Sequence, residues 1–355
     1  MKFRHAVLGI LPAIMLACSL LSAQAWAQFT QQGPKLVGTG ALGLAAQGPS
    51  VSLSADGNTA IIGGPVDDGS TGAAWVFTRS GGVWTQQAKL IGSGAIDPPP
   101  FIAQQGFSVS LSSDGNTAIL GSNDLVGGAW VFTRSDGLWG QQGPLLTGTG
   151  ALGNAGQGIS VSLSSDGNTA IVGGPFDDND TGATWVFRRS GGVWTQHGPK
   201  LVGTGPAGNA VQGRSVSLSA DGTTAILGGP FDDNDTGAAW VFRRSGGVWA
   251  QQGPKLIGIG AVGAALQGWS VSLSGDGTTG ILGGPFDDKI SNNYVGAAWV
   301  FAQPVFAGTP GKSNCYSHSV SALAQKYGGL NAAAAALGYA EVSALQSAIM
   351  AFCEE

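Results

Sequence analysis

SVSLSSDGNTAIVGGPFDDNDTGATWVFRRSGGVWTQ, residues 160–196, is the stretch on which the reading of this chain turns. Its centre, GGPFDDNDTGA at 173–183, returns unchanged at 228–238. Three aspartates in four residues suggest a metal cage or an acid/base pair. Repetition of a whole segment, however, points first to a repeated fold. Trp75, Trp130, Trp185, Trp240 and Trp299 share a Gly-Ala-x-Trp-Val-Phe or Gly-Gly-Ala-Trp-Val-Phe setting, at separations of 55, 55, 55 and 59 residues. Ser-Val-Ser-Leu-Ser recurs at 50–54, 108–112, 160–164, 215–219 and 270–274, followed each time by Asp-Gly at Asp56, Asp114, Asp166, Asp221 and Asp276. The chain therefore carries five units.

Within unit three, 160–164 alternates as a strand does, and Asp166-Gly167 is a hairpin signal leading into 169–173. The Asp-rich loop is followed by a strand pattern over 183–188, a Ser-Gly-Gly turn at 190–192 and a last strand pattern over 193–202. Four antiparallel strands repeated radially predict the blades of an all-β, five-bladed β-propeller over residues 28–303. A parallel β-helix is the rival, but its repeats are shorter and lack paired hairpin turns. FTQQGPKLVGTG at 29–40 matches the fourth-strand segment TQHGPKLVGTG at 195–205, whereas unit five ends after Trp299-Val300-Phe301. The N-terminal strand is thus expected to complete the last blade and close the ring, which removes open strand edges.

The units resemble FG-GAP repeats, the blades of integrin α-subunit propellers and of many secreted bacterial proteins. The Phe-Gly of that family appears as Gln-Gly (Gln47-Gly48, Gln105-Gly106, Gln157-Gly158, Gln212-Gly213, Gln267-Gly268). Its Gly-Ala-Pro appears as Gly-Gly-Pro at 63–65, 173–175, 228–230 and 283–285, while unit two has Gly121-Ser122-Asn123. Kelch repeats, with a Gly-Gly doublet, are the nearest alternative. The resemblance implies a calcium loop, D-x-D-x-D-G, between the first two strands. Residues 162–167 keep only the last aspartate, with serines at the other ligand positions. One carboxylate is a poor cage for an ion that takes six to eight oxygens, so a tight turn is expected there.

Asp177, Asp178 and Asp180, with Asp232, Asp233 and Asp235, fall instead between the second and third strands. Two readings stay open for them: a structural turn, since Asp and Asn bond their own backbone, or a weak calcium site. No other cofactor is implied. One position differs in every unit, Pro49, Phe107, Ile159, Arg214 and Trp269, while its neighbours hardly change. Strand reversal places it on the same face as the Asp loops. Phe107, Ile159, Arg214 and Trp269 are therefore the candidate ligand-binding residues, with a plug in a narrow channel as the alternative. The insert Asp97-Pro98-Pro99-Pro100-Phe101 lengthens one loop of that face. Most other tryptophans recur in every unit and are expected to pack.

Catalytic residues are not evident. Residues 28–303 hold no glutamate, no cysteine and one histidine, His197, where other units have Gln87, Gln142 and Gln252. His197 is accordingly expected to be a solvated strand residue. A net charge of −5 with 16 Lys and Arg argues against nucleic acid or an anionic membrane as partner.

MKFRHAVLGILPAIMLACSLLSAQAWA, with a basic start, an apolar run and Ala25-Trp26-Ala27, reads as a secretory signal over 1–27. Met15-Leu16-Ala17 before Cys18 is a poor lipobox, and no later run is long enough for a membrane span. Cys315 and Cys353 then remain, an even pair expected to form a disulfide in an exported chain. They bracket three helical patterns over 319–326, 330–337 and 342–352 in a module at 304–355, similar to a Cys-bracketed segment appended to assorted secreted bacterial proteins. Gly308-Thr309-Pro310-Gly311-Lys312-Ser313 falls short of a P-loop because Phe306 stands at the first glycine. The chain is expected to be a monomeric secreted or periplasmic binding or adhesion propeller for a protein or glycan ligand, and not an enzyme. An Asp-based glycan hydrolase and a purely structural cell-envelope protein are the alternatives.

Overall fold

Asp-Gly, Gly-Gly and Asp-Asp turns separate short runs of Val, Ile, Leu and Thr, and strands form between them. The computed structural model describes residues 29–94, 103–125, 127–290, 293–304, 306–339 and 341–354; the signal segment 1–27 and the 97–101 insert lie outside them. Unit three is a four-stranded antiparallel sheet of Ser160–Leu163, Thr169–Gly174, Ala183–Ser190 and Val193–Gln196, paired in chain order. Units one, two and four repeat it over 51–90, 108–141 and 215–251. Unit five has three strands, Ser270–Leu273, Thr279–Gly284 and Ala297–Ala302, with a ribbon of Lys289–Ile290 and Asn293–Tyr294 in its loop. This series of antiparallel sheets is a β-propeller fold. The fourth strand is shorter than its sequence pattern because Gly198 and Pro199 interrupt it. Leu201 then rejoins the sheet through a two-way backbone pair with Thr184 at 2.7 and 3.0 Å.

Strand alternation gives each sheet two apolar faces. Val161, Val172 and Trp185 lie in one cross-strand row, and Ile171 and Val186 in the next. The Ile/Val face of one unit packs on the Val/Trp face of its successor: Ile119 and Val131 meet Val161, Leu163, Val172 and Trp185. The same junction joins units one and two, three and four, and four and five. Trp185 is fully buried, and its indole N–H donates to the Thr149 carbonyl at 2.8 Å. Gly148 lies against that ring, where a Cβ would sit 2.0 Å from Cδ1. Gly38, Gly92, Gly203 and Gly258 repeat this contact with Trp75, Trp130, Trp240 and Trp299.

No N-terminal strand of the kind expected to close the ring is formed among the described residues. Residues 29–40 form no strand. Contacts divide the chain into Met1–Lys35 and Leu36–Glu355. Within the second part, the 36–45 segment serves unit one: Leu36, Ala41 and Ala45 pack with Trp75, and the Thr39 carbonyl accepts its indole N–H at 2.9 Å.

At the C-terminus, helices span Cys315–Tyr327, Leu330–Ala336 and Val342–Glu354 around Leu323, Ala333, Ala334, Leu345 and Ile349. Cys315 and Cys353 are disulfide-bonded, closing a sequence separation of 38 residues. In the chain-entropy treatment such a loop contributes about 4 kcal/mol, which suits a module this small. None of the described helices is long and apolar enough to cross a membrane.

Candidate functional site

The Asp-Gly turn is structural. Asp166 accepts the Ser164 hydroxyl at 2.5 Å, the Asn168 N–H at 2.9 Å and the Asn168 amide at 3.1 Å. Asp56 is held down at about 2 by the Ser54 hydroxyl and by the backbone and side chain of Asn58. The Asp276 carboxyl is likewise lowered, first by Ser274. A depressed carboxyl stabilises the fold above its unfolded value of 3.8 and loses that stabilisation as pH falls through its folded value. The melting temperature should therefore hold steady at neutral pH and drop between about pH 4 and about pH 2. Asp56→Asn together with Asp276→Asn should shrink that drop, as a thermal melt against pH would show.

The Asp-rich loop divides its carboxylates between two tasks. Asp177 and Asp232 are fully buried. Asp177 accepts the Leu152 N–H at 2.7 Å and pairs with Lys200; Asp232 accepts the Ala207 N–H at 2.7 Å and pairs with Lys255. These two tie the loop down. Asp178, Asn179 and Asp180 follow with φ of 50°, 52° and 66°, and Asp233, Asn234 and Asp235 with 48°, 53° and 67°. Three successive left-handed residues are costly for most side chains and least so for Asp and Asn. The carboxylates of Asp178, Asp180, Asp233 and Asp235 are exposed and bond to no described residue.

These free carboxylates line two matching clefts. One, of about 670 Å³, is bounded by Asn209, Phe231, Asp233, Asn234 and Asp235. The other, of about 510 Å³, is bounded by Asn154, Leu152, Phe176, Asp178, Asn179 and Asp180. Phe176 and Phe231 are 42% and 38% exposed, so each cleft has a ring face open to solvent. Unit one, with Val66, Asp68, Gly69 and Ser70, offers neither the ring nor the second carboxylate. Among the described residues no three of His, Cys, Asp and Glu are placed to hold one metal ion.

Of the variable residues, Trp269 lies against Phe231 of the unit-four Asp loop and against Arg214. Ile159 is buried and Phe107 half-buried. Arg214 stacks over Trp269 at 4.7 Å, and Trp269 meets Phe231 and Phe286 edge-on at 6.5 and 6.1 Å. Burial lowers the pKa of the Arg214 guanidinium.

Two roles went unseen in the sequence. The glutamine of each Gln-Gly is a clamp: Gln157 is 1% exposed, accepts the Gly148 N–H at 2.6 Å and donates to its carbonyl at 3.0 Å. Its recurrence was the available signal. His197, for its part, is half-buried rather than solvated, and burial, then Arg188 and Arg244, lower its pKa. At the same position Gln142 accepts the Trp194 indole and an Arg189 N–H, both at 3.0 Å, and Asn168 accepts the Arg189 Nε at 2.9 Å. With His197 and Thr223 at the corresponding places, the Trp249 indole and Arg244 Nε have no acceptor among the described residues. His197→Gln with Thr223→Asn should therefore raise stability by about 1–2 kcal/mol, read as a higher denaturation midpoint.

No family model matches the chain, and no curated protein matches it. Solved structures do. A 6-phosphogluconolactonase candidate from Bacteroides uniformis shares 18% identity over 74% of this chain and 75% of its own, with a TM-score of 0.47. Hydrazine synthase from Kuenenia stuttgartiensis shares 13% over 77% and 67%, TM-score 0.47. TolB from Acinetobacter baumannii shares 13% over 71% of this chain and about half of its own, at 51%, TM-score 0.39. At these identities and TM-scores the likeness transfers no activity. The expectation of a non-enzymatic adhesion propeller is corrected to the extent that these structures, two of them lactonase candidates, give it no support.

Proposed function

We propose that the chain is an exported, divergent FG-GAP-type propeller of five blades that hydrolyses hydroxyl-rich glycan substrates in the clefts of units three and four. The observation that carries this reading is the pair of unpartnered carboxylates, Asp178 with Asp180 and Asp233 with Asp235, set beside an open phenylalanine ring in each of two matching clefts. Glycoside hydrolysis asks for two carboxyl groups flanking the scissile bond, one giving a proton to the leaving oxygen and one assisting the incoming water or attacking carbon. The ring face of Phe176 or Phe231 suits the C–H face of a sugar, and Asn154, Asn179, Asn209 and Asn234 supply amides for its hydroxyls. In this reading Asp177 and Asp232, each buried and paired with a lysine, anchor the two loops. Export is supported by the signal-like N-terminus and the disulfide.

Assaying the purified protein on a panel of glycans tests the proposal. Turnover should fall by about 10²-fold or more when Asp178, Asp180, Asp233 and Asp235 are all changed to asparagine, the scale of lost acid–base assistance. The melting temperature should stay near that of the parent, since none of the four is tied into the fold. Absence of turnover on every glycan, or turnover that survives the fourfold change, would end this reading.

A further inference from the structure

Every junction between successive units is built from the same parts. The Ser50, Ser108, Ser160 and Ser215 hydroxyls donate to the carbonyls of Gly106, Gly158, Gly213 and Gly268 in the next unit. The Ser52, Ser110, Ser162 and Ser217 hydroxyls accept the N–H of Leu111, Leu163, Leu218 and Leu273. Gly72, Gly127, Gly182 and Gly237 bridge in parallel to Gln105, Gln157, Gln212 and Gln267. The apolar side chains at these junctions are closed off: Ile119, Ile171, Val131 and Val186 are fully buried.

The two ends of the series hold the same parts unused. On unit one, Val51 and Leu53 are 67% and 61% exposed, where Val161 and Leu163 are 9% and 7%. On unit five, Ile281 and Val300 are 41% and 67% exposed, where Ile171 and Val186 are fully buried. Ser270 and Ser272, the counterparts of Ser215 and Ser217, have no hydrogen-bonded partner from a following unit among the described residues. Asp287 is nearly buried and accepts the Val262 N–H at 2.7 Å, yet among the described residues it has no lysine such as Asp67, Asp177 and Asp232 each have. Among the described residues, strand Ala297–Ala302 pairs on one side only. Each missing element occurs at the N-terminal end of the chain. GPKL at 33–36 repeats GPKL at 198–201, so Lys35 is the counterpart of Lys200, and Gln47 and Gly48 are the counterparts of Gln157 and Gly158.

We infer that the chain assembles head to tail, unit five of one copy docking on unit one of a second copy. The contact continues a junction the chain already makes four times, with the same apolar pairing and serine hydrogen bonds. A second copy is the fitting occupant because a single chain leaves both halves of this junction exposed at once. The two surfaces differ, so the contact is heterologous, and each pair retains one free end of each kind for further growth or ring closure. Covering both ends also removes the open strand edge of unit five.

Native mass spectrometry of the full exported chain over a wide concentration range tests the inference. The parent should show dimers and higher multiples that grow with concentration. Leu53→Asp and Val300→Asp, both at exposed positions, should each be monomeric with an unchanged circular dichroism spectrum. An equimolar mixture of the two should give a dimer and nothing larger, because each retains one intact end and the mixture can form a single junction. Should either aspartate variant fail to fold, Leu53→Ser and Val300→Ser take their place in the same mixing experiment. A parent that stays monomeric at all concentrations would overturn the inference, whether its own N-terminus or another protein covers the faces. So would a mixture of variants with no dimer, or oligomers that survive both substitutions.

Discussion

Lys200→Leu is expected to lower the stability of the protein by about 3 kcal/mol or more, although the lysine sits at the edge of a sheet. The reason is what the change leaves behind. Asp177 is fully buried, and its second oxygen faces only Lys200. Stripping a buried carboxylate of its cation typically costs 3–5 kcal/mol, because the charge can neither reach water nor find another partner. Unit two shows how the pair can be dispensed with. Leu145 stands where Lys200 does, and the shortened loop Asn123-Asp124 supplies no buried aspartate. Asp177→Asn combined with Lys200→Leu should accordingly recover much of the loss, and a double-mutant cycle should give a coupling energy above about 1 kcal/mol. Denaturant melts of the three variants check this. Equal costs for the single and double changes would show that the pair does not anchor the loop.

Trp185→Ala carries the other large effect, about 3–5 kcal/mol, the usual cost of emptying a buried aromatic site. The indole fills the junction between units two and three and donates to the Thr149 carbonyl at 2.8 Å, so both a cavity and an orphaned acceptor result. Gly148→Ala probes the same site from the opposite direction. A methyl group 2.0 Å from Cδ1 has no room, and the ring, packed on all sides, cannot turn aside. The two substitutions should not add, since removing the ring removes the obstruction. In the Trp185→Ala background, Gly148→Ala should become nearly neutral, a result thermal melts can read.

Much of the fold was legible in the sequence because a repeat multiplies weak signals. A single Ser-Val-Ser-Leu-Ser or Asp-Gly says little, but five copies at a common spacing define the sheets, and four of them form with all four strands. The fourth strand was read too long, since Pro199 removes a donor that the pattern of side chains does not show. The N-terminal strand expected to complete unit five is not among the strands formed, and residues 36–45 pack instead on Trp75 of unit one. The site was the least legible part. Asp177, Asp178 and Asp180 look alike in sequence, and only the chain's turn through three left-handed residues buries the first and leaves the others free. The glutamine clamps and the deficit around His197 depend on contacts between units, which local sequence hides.

Phe176 and Phe231, with their paired carboxylates, stand at the centre of the account, and a crystal structure of the protein with a hydrolysis-resistant oligosaccharide tests it most directly. The prediction is a sugar ring against each phenylalanine in units three and four, with the linkage between Asp178 and Asp180 and between Asp233 and Asp235, and none at the loop of unit one. Sugar bound at Trp269 or on another face, with both clefts empty, would contradict it.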